Sequence, residues 1–432
     1  MPLPIICASA ALCQFAWMFS GIFSKPQWKY FVTVLLALVQ SEDRRTLTGL
    51  LRKVLAQFSL AGLSRFLARA PWSEIVLAQR WLTHFRMQLE PVVRAEHQRQ
   101  RVERAKRSGR PKATSVTGYL IYDDSTHIKP KGRKMKGLGR HYSTTEKKPV
   151  IGHSLFMGLH VLLGRRCPLP PQMYRTKTTC AKENVPFKSK VDLAHQSLQD
   201  FVPVPGEHVH VLVDAWYTCQ RLWKAAHARG FDFSGGLKSN RKLRRGMPDG
   251  KRVWQHLSDY AAELSAEQFQ AVVWPAQDGG RTVYVHCLRT LVHRLGACQV
   301  VIVREKLDAS AEQTRYFATS LLDADAQTIV NVLAVRWEIE TLFEDLKELF
   351  GTDHYQLMND RAIVRYWTLA SCAYLFLDER RAAMLHTQAR HITIGVARQD
   401  IQKDHQLNLL QWLQNEFQNG CMPAQLQARF AA

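Results

Sequence analysis

Residues 119–124 read YLIYDD and residues 209–214 read VHVLVD, and the reading of these two stretches decides the fold. Each is a short apolar run with aspartate at its carboxyl end. The second is almost wholly apolar from Val209 to Val213, the mark of a strand buried on both faces. A helix is expected between Val213 and Gly230, with Gly230 where a C-cap glycine belongs. Working outward, residues 150–163 hold a further strand or hairpin, and residues 282–287, 298–303 and 315–320 read as strands. Residues 326–350 read as one long helix ending before Gly351, and the chain beyond Asp378 is helical and polar. Strands alternating with helices predict an α/β domain.

The 432 residues carry 59 Lys plus Arg against 37 Asp plus Glu, a formal charge of +22, with 46% apolar residues. That composition excludes disordered and collagen-like chains and predicts two or three folding units. Such charge points to a polyanionic partner. It is also local: residues 94–148 hold 16 Lys/Arg and 5 Asp/Glu, half the whole excess. The nine cysteines form no C-x-x-C pair and no zinc spacing, which fits reduced thiols in a cytoplasmic protein.

Residues 1–92 show apolar positions at helical spacing, among them Leu47, Leu50, Leu51, Val54 and Leu55, and predict a helical N-terminal domain. Residues 2–24 carry no charge and match a membrane span in length. They lack the basic start and the clear cleavage site of a signal, contain Pro4 and Gln14, and are soon followed by a second apolar run at 31–39. Both runs are therefore read as buried bundle helices, with no membrane partner. A basic linker at 93–114 follows.

Three acidic places matter together. Asp123 and Asp124 close the first strand, Asp214 closes the second, and Glu340 lies in the long helix. Strand-end carboxylates sit where open α/β sheets place ligands, although any one of them reads equally as a turn residue or N-cap. At about 100° per residue, Val332, Val335, Ile339, Leu342, Phe343, Leu346 and Phe350 form the stripe that packs on the sheet. Arg336, Glu340 and Lys347 fall together roughly 60° to 100° to one side of it, while Glu338, Asp345 and Glu348 point away. An ordinary i, i+4 ion pair between Arg336 and Glu340 accounts for the same spacing.

The runs YDDSTHIKPKG (122–132), GRHYS (139–143), IGHS (151–154), VLVDAWY (211–217) and RWEIETLFEDLK (336–347) resemble insertion-sequence DDE transposases. The resemblance is to the branch with a Tyr-Arg-Glu-Lys signature on its glutamate helix. Arg336, Glu340 and Lys347 match that signature, and Leu333 stands in the tyrosine place. The resemblance covers about 115–350, with a weaker echo in SRFLARAPWS. It implies an RNase H-like catalytic domain in two parts, 115–240 and 313–378, with a β-rich insertion at 241–312 and a helical tail at 379–432. Adjacent strand residues face opposite ways, so only one of the two neighbouring aspartates can face the site. The family's first motif favours Asp124, with Asp123 as the alternative.

The metal ligands implied are Asp124, Asp214 and Glu340, holding two Mg²⁺ or Mn²⁺ ions for phosphodiester cleavage and strand transfer. Arg336, Lys347 and Lys129 are expected on phosphates. Arg104, Arg107, Arg110, Lys112, Arg241 and Lys242 are expected on DNA. His127 is either a water-positioning group or, as lone histidines more often are, structural. Trp254 and Trp274 are candidates for stacking on a flipped base if the branch's hairpin intermediate is used. The expected partners are double-stranded DNA, both transposon ends and target, and a second copy of the chain in the DNA complex. The place of action is the cytoplasm, on the nucleoid when DNA-bound. The competing expectations are an RNase H-like nuclease without strand transfer and a non-catalytic DNA-binding derivative.

Overall fold

The computed structural model describes residues 8–431, apart from 43, 53, 55–57, 109–113, 144–145, 247–249, 277–278, 311 and 386–391. Five helices come first: α1 Ala10–Trp17, α2 Lys25–Gln40, α3 Leu47–Leu51, α4 Leu60–Ala68 and α5 Glu74–Ser108. Leu12 and Phe15 of α1 and Val34, Leu35, Leu38 and Val39 of α2 are buried in one core, as expected of bundle helices. Among the described residues no helix is long and apolar enough to cross a membrane. α5 is a single helix of 35 residues with Pro91 inside it, so the basic segment expected from residue 93 continues it as far as Ser108. Its first half buries Leu77, Trp81, Phe85, Leu89 and Val93, one residue in four, and the pattern then turns polar.

Thirteen strands follow: β1 Val116–Ile128, β2 Gly139–Ser143, β3 Lys148–Leu162, β4 Arg165–Pro168, β5 Gln172–Tyr174, β6 Glu207–Val213, β7 Asp232–Leu237, β8 Lys242–Gly246, β9 Arg252–His256, β10 Gln270–Trp274, β11 Arg281–Val292, β12 Gly296–Arg304 and β13 Arg315–Thr319. They form one sheet in the order β2-β3-β1-β6-β7-β13-β12-β11-β8-β9, with β10 on β11 and β4 and β5 on β3. β1 is antiparallel to β3 and parallel to β6, and β6 is parallel to β7. β13 is antiparallel to both β7 and β12, so the strands from 241–312 continue the same sheet beyond it.

The remaining helices are α6 Lys177–Glu183, α7 Lys190–Asp200, α8 Gln220–Ala228, α9 Leu257–Ala262, α10 Ala326–Ala334, α11 Glu338–Glu348, α12 Asp360–Leu385, α13 Ile394–Gln418 and α14 Pro423–Ala431. Both faces of the sheet are covered around β1 and β6. Leu120, Tyr122, Val211 and Val213 pack against α7 and α8. Ile121 and Leu212, pointing the other way, join a core shared with α11, α12 and the N-terminal helices. α12 is buried through most of its length. Its Arg365 is clamped by Glu74 at 3.0 Å and the Leu67 carbonyl at 3.0 Å, with the Trp72 ring 4.2 Å away.

The single helix expected over 326–350 is instead α10 and α11, separated by a 3-10 turn at Val335–Trp337. The stripe read from sequence stays on one core, which takes in Val332, Ile339, Leu342, Phe343, Leu346 and Phe350 with Val335 against it, while α10 turns a second face to another. Ile329, Val330 and Leu333 pack on Val272, Val283, Val301 and Val303 of the later strands. Ile339, Leu342, Phe343 and Leu346 pack on the side of Ile121 and Leu155. The tighter turn interrupts the helix between these two contacts.

α11 therefore holds its place through a short apolar face. Leu342→Ala is expected to cost about 2–5 kcal/mol, read from urea denaturation; a loss below ~1 kcal/mol would show that this face does not anchor the helix. Asp345, well round α11 from Glu340 and acted on by Glu344 and Glu338, is not solvated. Burial lifts its carboxyl to about 7, against the pull of Arg166. The protonated acid is favoured in the folded chain, so this contribution to stability is complete below pH 3.8 and is lost as pH rises through about 7. Asp345→Asn should be more stable than the parent by about 1–2 kcal/mol at pH 8 and equal to it near pH 4. Superimposable stabilities at both pH values would refute the desolvation.

Candidate functional site

The last parallel pair of β1 and β6 is Tyr122 with Val213, whereas β3 accompanies β1 as far as Ile128. Asp123 and Asp124 are thus in mid-strand, not at its end as the sequence suggests. They stand where the parallel neighbour turns away. The pleat sends them to opposite faces. Asp123 shares the face of Ile121, under α11, and Asp124 shares that of Tyr122, under α7 and α8.

On the α11 face, Arg336 Nη1 lies 3.4 Å from Asp123 Oδ2 and 3.4 Å from Glu340 Oε1. Burial raises the pKa of Asp214 above its usual value, against the amides of Tyr217 and Trp216 and the same guanidinium, which lower it, while the charge of Asp124 adds to the rise. The Asp123 carboxyl is pushed well above the usual carboxylate range, first by burial and then by the charges of Asp214 and Glu340. Asp123, Asp214 and Glu340 are therefore the acids brought together, with Arg336 among them. Asp124, favoured by the motif, faces away from Glu340. Its carboxylate accepts from Lys190 Nζ at 2.6 Å, Tyr217 Oη at 2.8 Å and Ser154 Oγ at 3.1 Å.

Asp214 opens a turn in which its Oδ1 accepts from the amides of Trp216 at 2.8 Å and Tyr217 at 3.0 Å. This side-chain turn explains the D-A-W-Y sequence. The turn lies tightly on β7. A Cβ on Gly235 would come 2.2 Å from Thr218 Oγ1, and one on Gly236 would come 2.9 Å from the Ala215 amide. Arg241 Nη2 closes the turn from outside by donating to the Thr218 carbonyl at 2.7 Å.

The other expected residues are dispersed. Lys347 is largely buried, and burial lowers its pKa while Asp353 and Glu340 oppose that. Lys129, expected on phosphate, is buried instead. Its ammonium donates to the carbonyls of Asp353 and Tyr355 and sits 3.9 Å from the Tyr355 ring centre. Burial brings its pKa down to about 8. His127 is enclosed with Trp367 at 5.4 Å, and burial holds it well below its ordinary value, as for a core histidine. Lys242 is exposed, Arg104 is half-buried on α5, Arg107 lies on the same helix, and Arg110 and Lys112 fall outside the described residues. Leu333, in the tyrosine place of the signature, is buried.

Beside the acids opens a cleft of about 1310 Å³ lined by Asp214, Arg336, Trp337, Trp274, Arg281 and Arg315. Arg315 lies 4.7 Å from the Trp274 ring centre. Trp216 is 62% exposed, with Lys238 Nζ 5.3 Å from its ring. Trp254, by contrast, sits on β9 against His293, far along the sheet. Sequence reasoning missed three elements here: the cluster around Asp124, the 2.6 Å ion pair of Glu338 with Arg166, and the exposed Trp216 and Trp337. The last two were legible as aromatic neighbours of Asp214 and Arg336.

Among the described residues no three His, Cys, Asp or Glu side chains already stand as a metal cage. The Arg336 guanidinium occupies the gap between Asp123 and Glu340. Asp123, Asp214 and Glu340 come from separate segments and carry hard-oxygen donors of the type a divalent cation takes, and burial holds the pKa values of the two aspartates above their ordinary range.

No curated protein was found to match the chain. A family model described as the transposase DDE domain matches residues 123–376, beginning at the first acid of this cluster and ending within α12. With more than half of its length inside that match, the chain belongs to the DDE-domain transposases.

Proposed function

We propose that the chain is a DNA transposase whose RNase H-like core cuts transposon-end phosphodiester bonds and joins the ends to target DNA, with Asp123, Asp214 and Glu340 as the metal ligands. The observation that carries this reading is the meeting of Asp123 and Glu340, from a strand and a helix 217 positions apart, on one guanidinium with Asp214 beside it. Strand order supports the RNase H-like assignment. The strand that bears the first acid has an antiparallel neighbour on one side and two successive parallel strands on the other, the second acid ends the first of these, and the third lies on a covering helix.

The three carboxylates would hold Mg²⁺ or Mn²⁺, which when bound acidifies an attacking water or 3′-hydroxyl and stabilises the leaving oxygen. The other steps belong to the chain itself. Arg336 leaves the carboxylates and turns its fork to a phosphate oxygen, a geometry lysine cannot supply. Lys347 keeps a positive charge beneath Glu340. Trp216 with Lys238, and Trp274 with Arg315, offer a ring face beside a cation, the combination that holds unpaired bases and backbone together. Arg104 and Lys242 track the duplex outside the cleft, and Arg107, Arg110 and Lys112 are proposed as further backbone contacts. The working form is a pair of chains holding paired ends, acting in the cytoplasm on nucleoid DNA.

The test is cleavage of end-bearing DNA with Mg²⁺, followed by strand transfer from a pre-cut 3′-hydroxyl end. Asp123→Ala, Asp214→Ala and Glu340→Ala should each lose both activities while binding DNA as the parent does. Full cleavage by all three variants would overturn the proposal, and cleavage without strand transfer would reduce the chain to a nuclease. Arg336→Ala is expected to bind Mn²⁺ without DNA about fivefold more tightly, the equivalent of ~1 kcal/mol for a partly exposed ion pair. Calorimetric titration reads this directly, and unchanged or weaker binding would show that the guanidinium does not compete for the acids.

A further inference from the structure

Asp124 stands outside the acids grouped around Arg336, yet its carboxylate is held on both oxygens. Oδ2 accepts from Lys190, the first residue of α7, at 2.6 Å and from Ser154 of β3 at 3.1 Å. Two elements of the scaffold thus fix it. Oδ1 accepts from the hydroxyl of Tyr217 at 2.8 Å. Tyr217 is fully buried, and its own amide donates to Asp214 Oδ1 at 3.0 Å. One residue therefore grips Asp124 by its hydroxyl and Asp214 by its backbone.

We propose that Asp124 is a positioning residue that sets the Asp214 carboxylate through Tyr217. The two neighbouring aspartates of β1 then divide the work: Asp123 is a ligand on one face, and Asp124 anchors the second ligand from the other. The proposal rests on the function argued above. The turn that carries Asp214 needs such an anchor, because it begins where β6 has ended and runs through the exposed Trp216. A phenol donating to a carboxylate forms a charge-assisted bond, stronger than a neutral one. Outer partners of this kind orient the groups that touch a metal, and losing one costs about 10- to 100-fold in metal affinity or activity.

The plainer account is that Asp124, Lys190, Ser154 and Tyr217 only satisfy one another in the core. The two accounts differ in what Tyr217→Phe does, since that change keeps the ring and removes only the hydroxyl. In the full-length chain, Mn²⁺ affinity by calorimetry should fall about tenfold or more. Hydrogen exchange should quicken at the Trp216 and Tyr217 amides and not elsewhere. Tyr374→Phe, which removes a buried hydroxyl on α12 away from Asp124, should bind Mn²⁺ as the parent does. In an Asp214→Asn background, Tyr217→Phe should add no further loss.

Parental Mn²⁺ affinity and exchange in Tyr217→Phe would overturn the positioning role and leave the proposed function standing. An equal loss from Tyr217→Phe in the Asp214→Asn background would reduce the cluster to core packing and overturn the role as well. Mn²⁺ binding that Asp214→Asn leaves undiminished would remove Asp214 as a ligand, and both proposals would fall together.

Discussion

The pleat of β1 is the constraint on which the site depends. Side chains of successive strand residues leave opposite faces, so Asp123 and Asp124 cannot both meet Glu340. The face of Asp123 also carries Ile121 and the apolar side of α11, and the face of Asp124 carries Tyr122 and the cluster of α7 and α8. A slip of one residue in β1 would exchange the two acids and bury every alternate side chain in the wrong core. The register with β3, paired over eleven successive positions from Gly118 to Ile128, is what prevents it.

Crowded carboxylates are unfavourable in a half-buried place, and the chain answers with position as well as with charge. Arg336 falls on the 3-10 turn between α10 and α11. It touches Asp123 across the gap while still bonding to Glu340 four residues on. The same turn leaves Trp337 65% exposed on the cleft side.

Much of this was legible before any coordinates. The apolar run at 209–213 is a buried strand, and Gly230 takes the left-handed conformation, φ +70°, that its place after a helix requires. The grouping of Arg336 with Glu340 followed from helical angle alone. The break at Val335–Trp337 was hidden because the apolar stripe runs on through Val332, Val335 and Ile339, all of which stay on one core. The facing of Asp123 was hidden for a related reason. With both sheet faces covered, Leu120, Ile121 and Tyr122 are all apolar and all buried, so the period of two that betrays an inward face is absent. Lys129 lies in a basic run and reads as a surface charge, yet its partners are the carbonyls of Asp353 and Tyr355, more than two hundred positions away.

α5 brings together two parts of the molecule that the sequence presents as separate. As one helix of 35 residues it spans about 52 Å. Near its start the Trp81 indole donates to the Pro168 carbonyl of β4 at 3.0 Å, pinning the rod to the strand that borders β3. Its far end carries Arg99, Arg101, Arg104 and Lys106. His97, whose Nε2 lies 2.8 Å from the Gly206 carbonyl, fastens the same rod a second time just ahead of β6, so the basic end reaches the sheet through a helix held at two places.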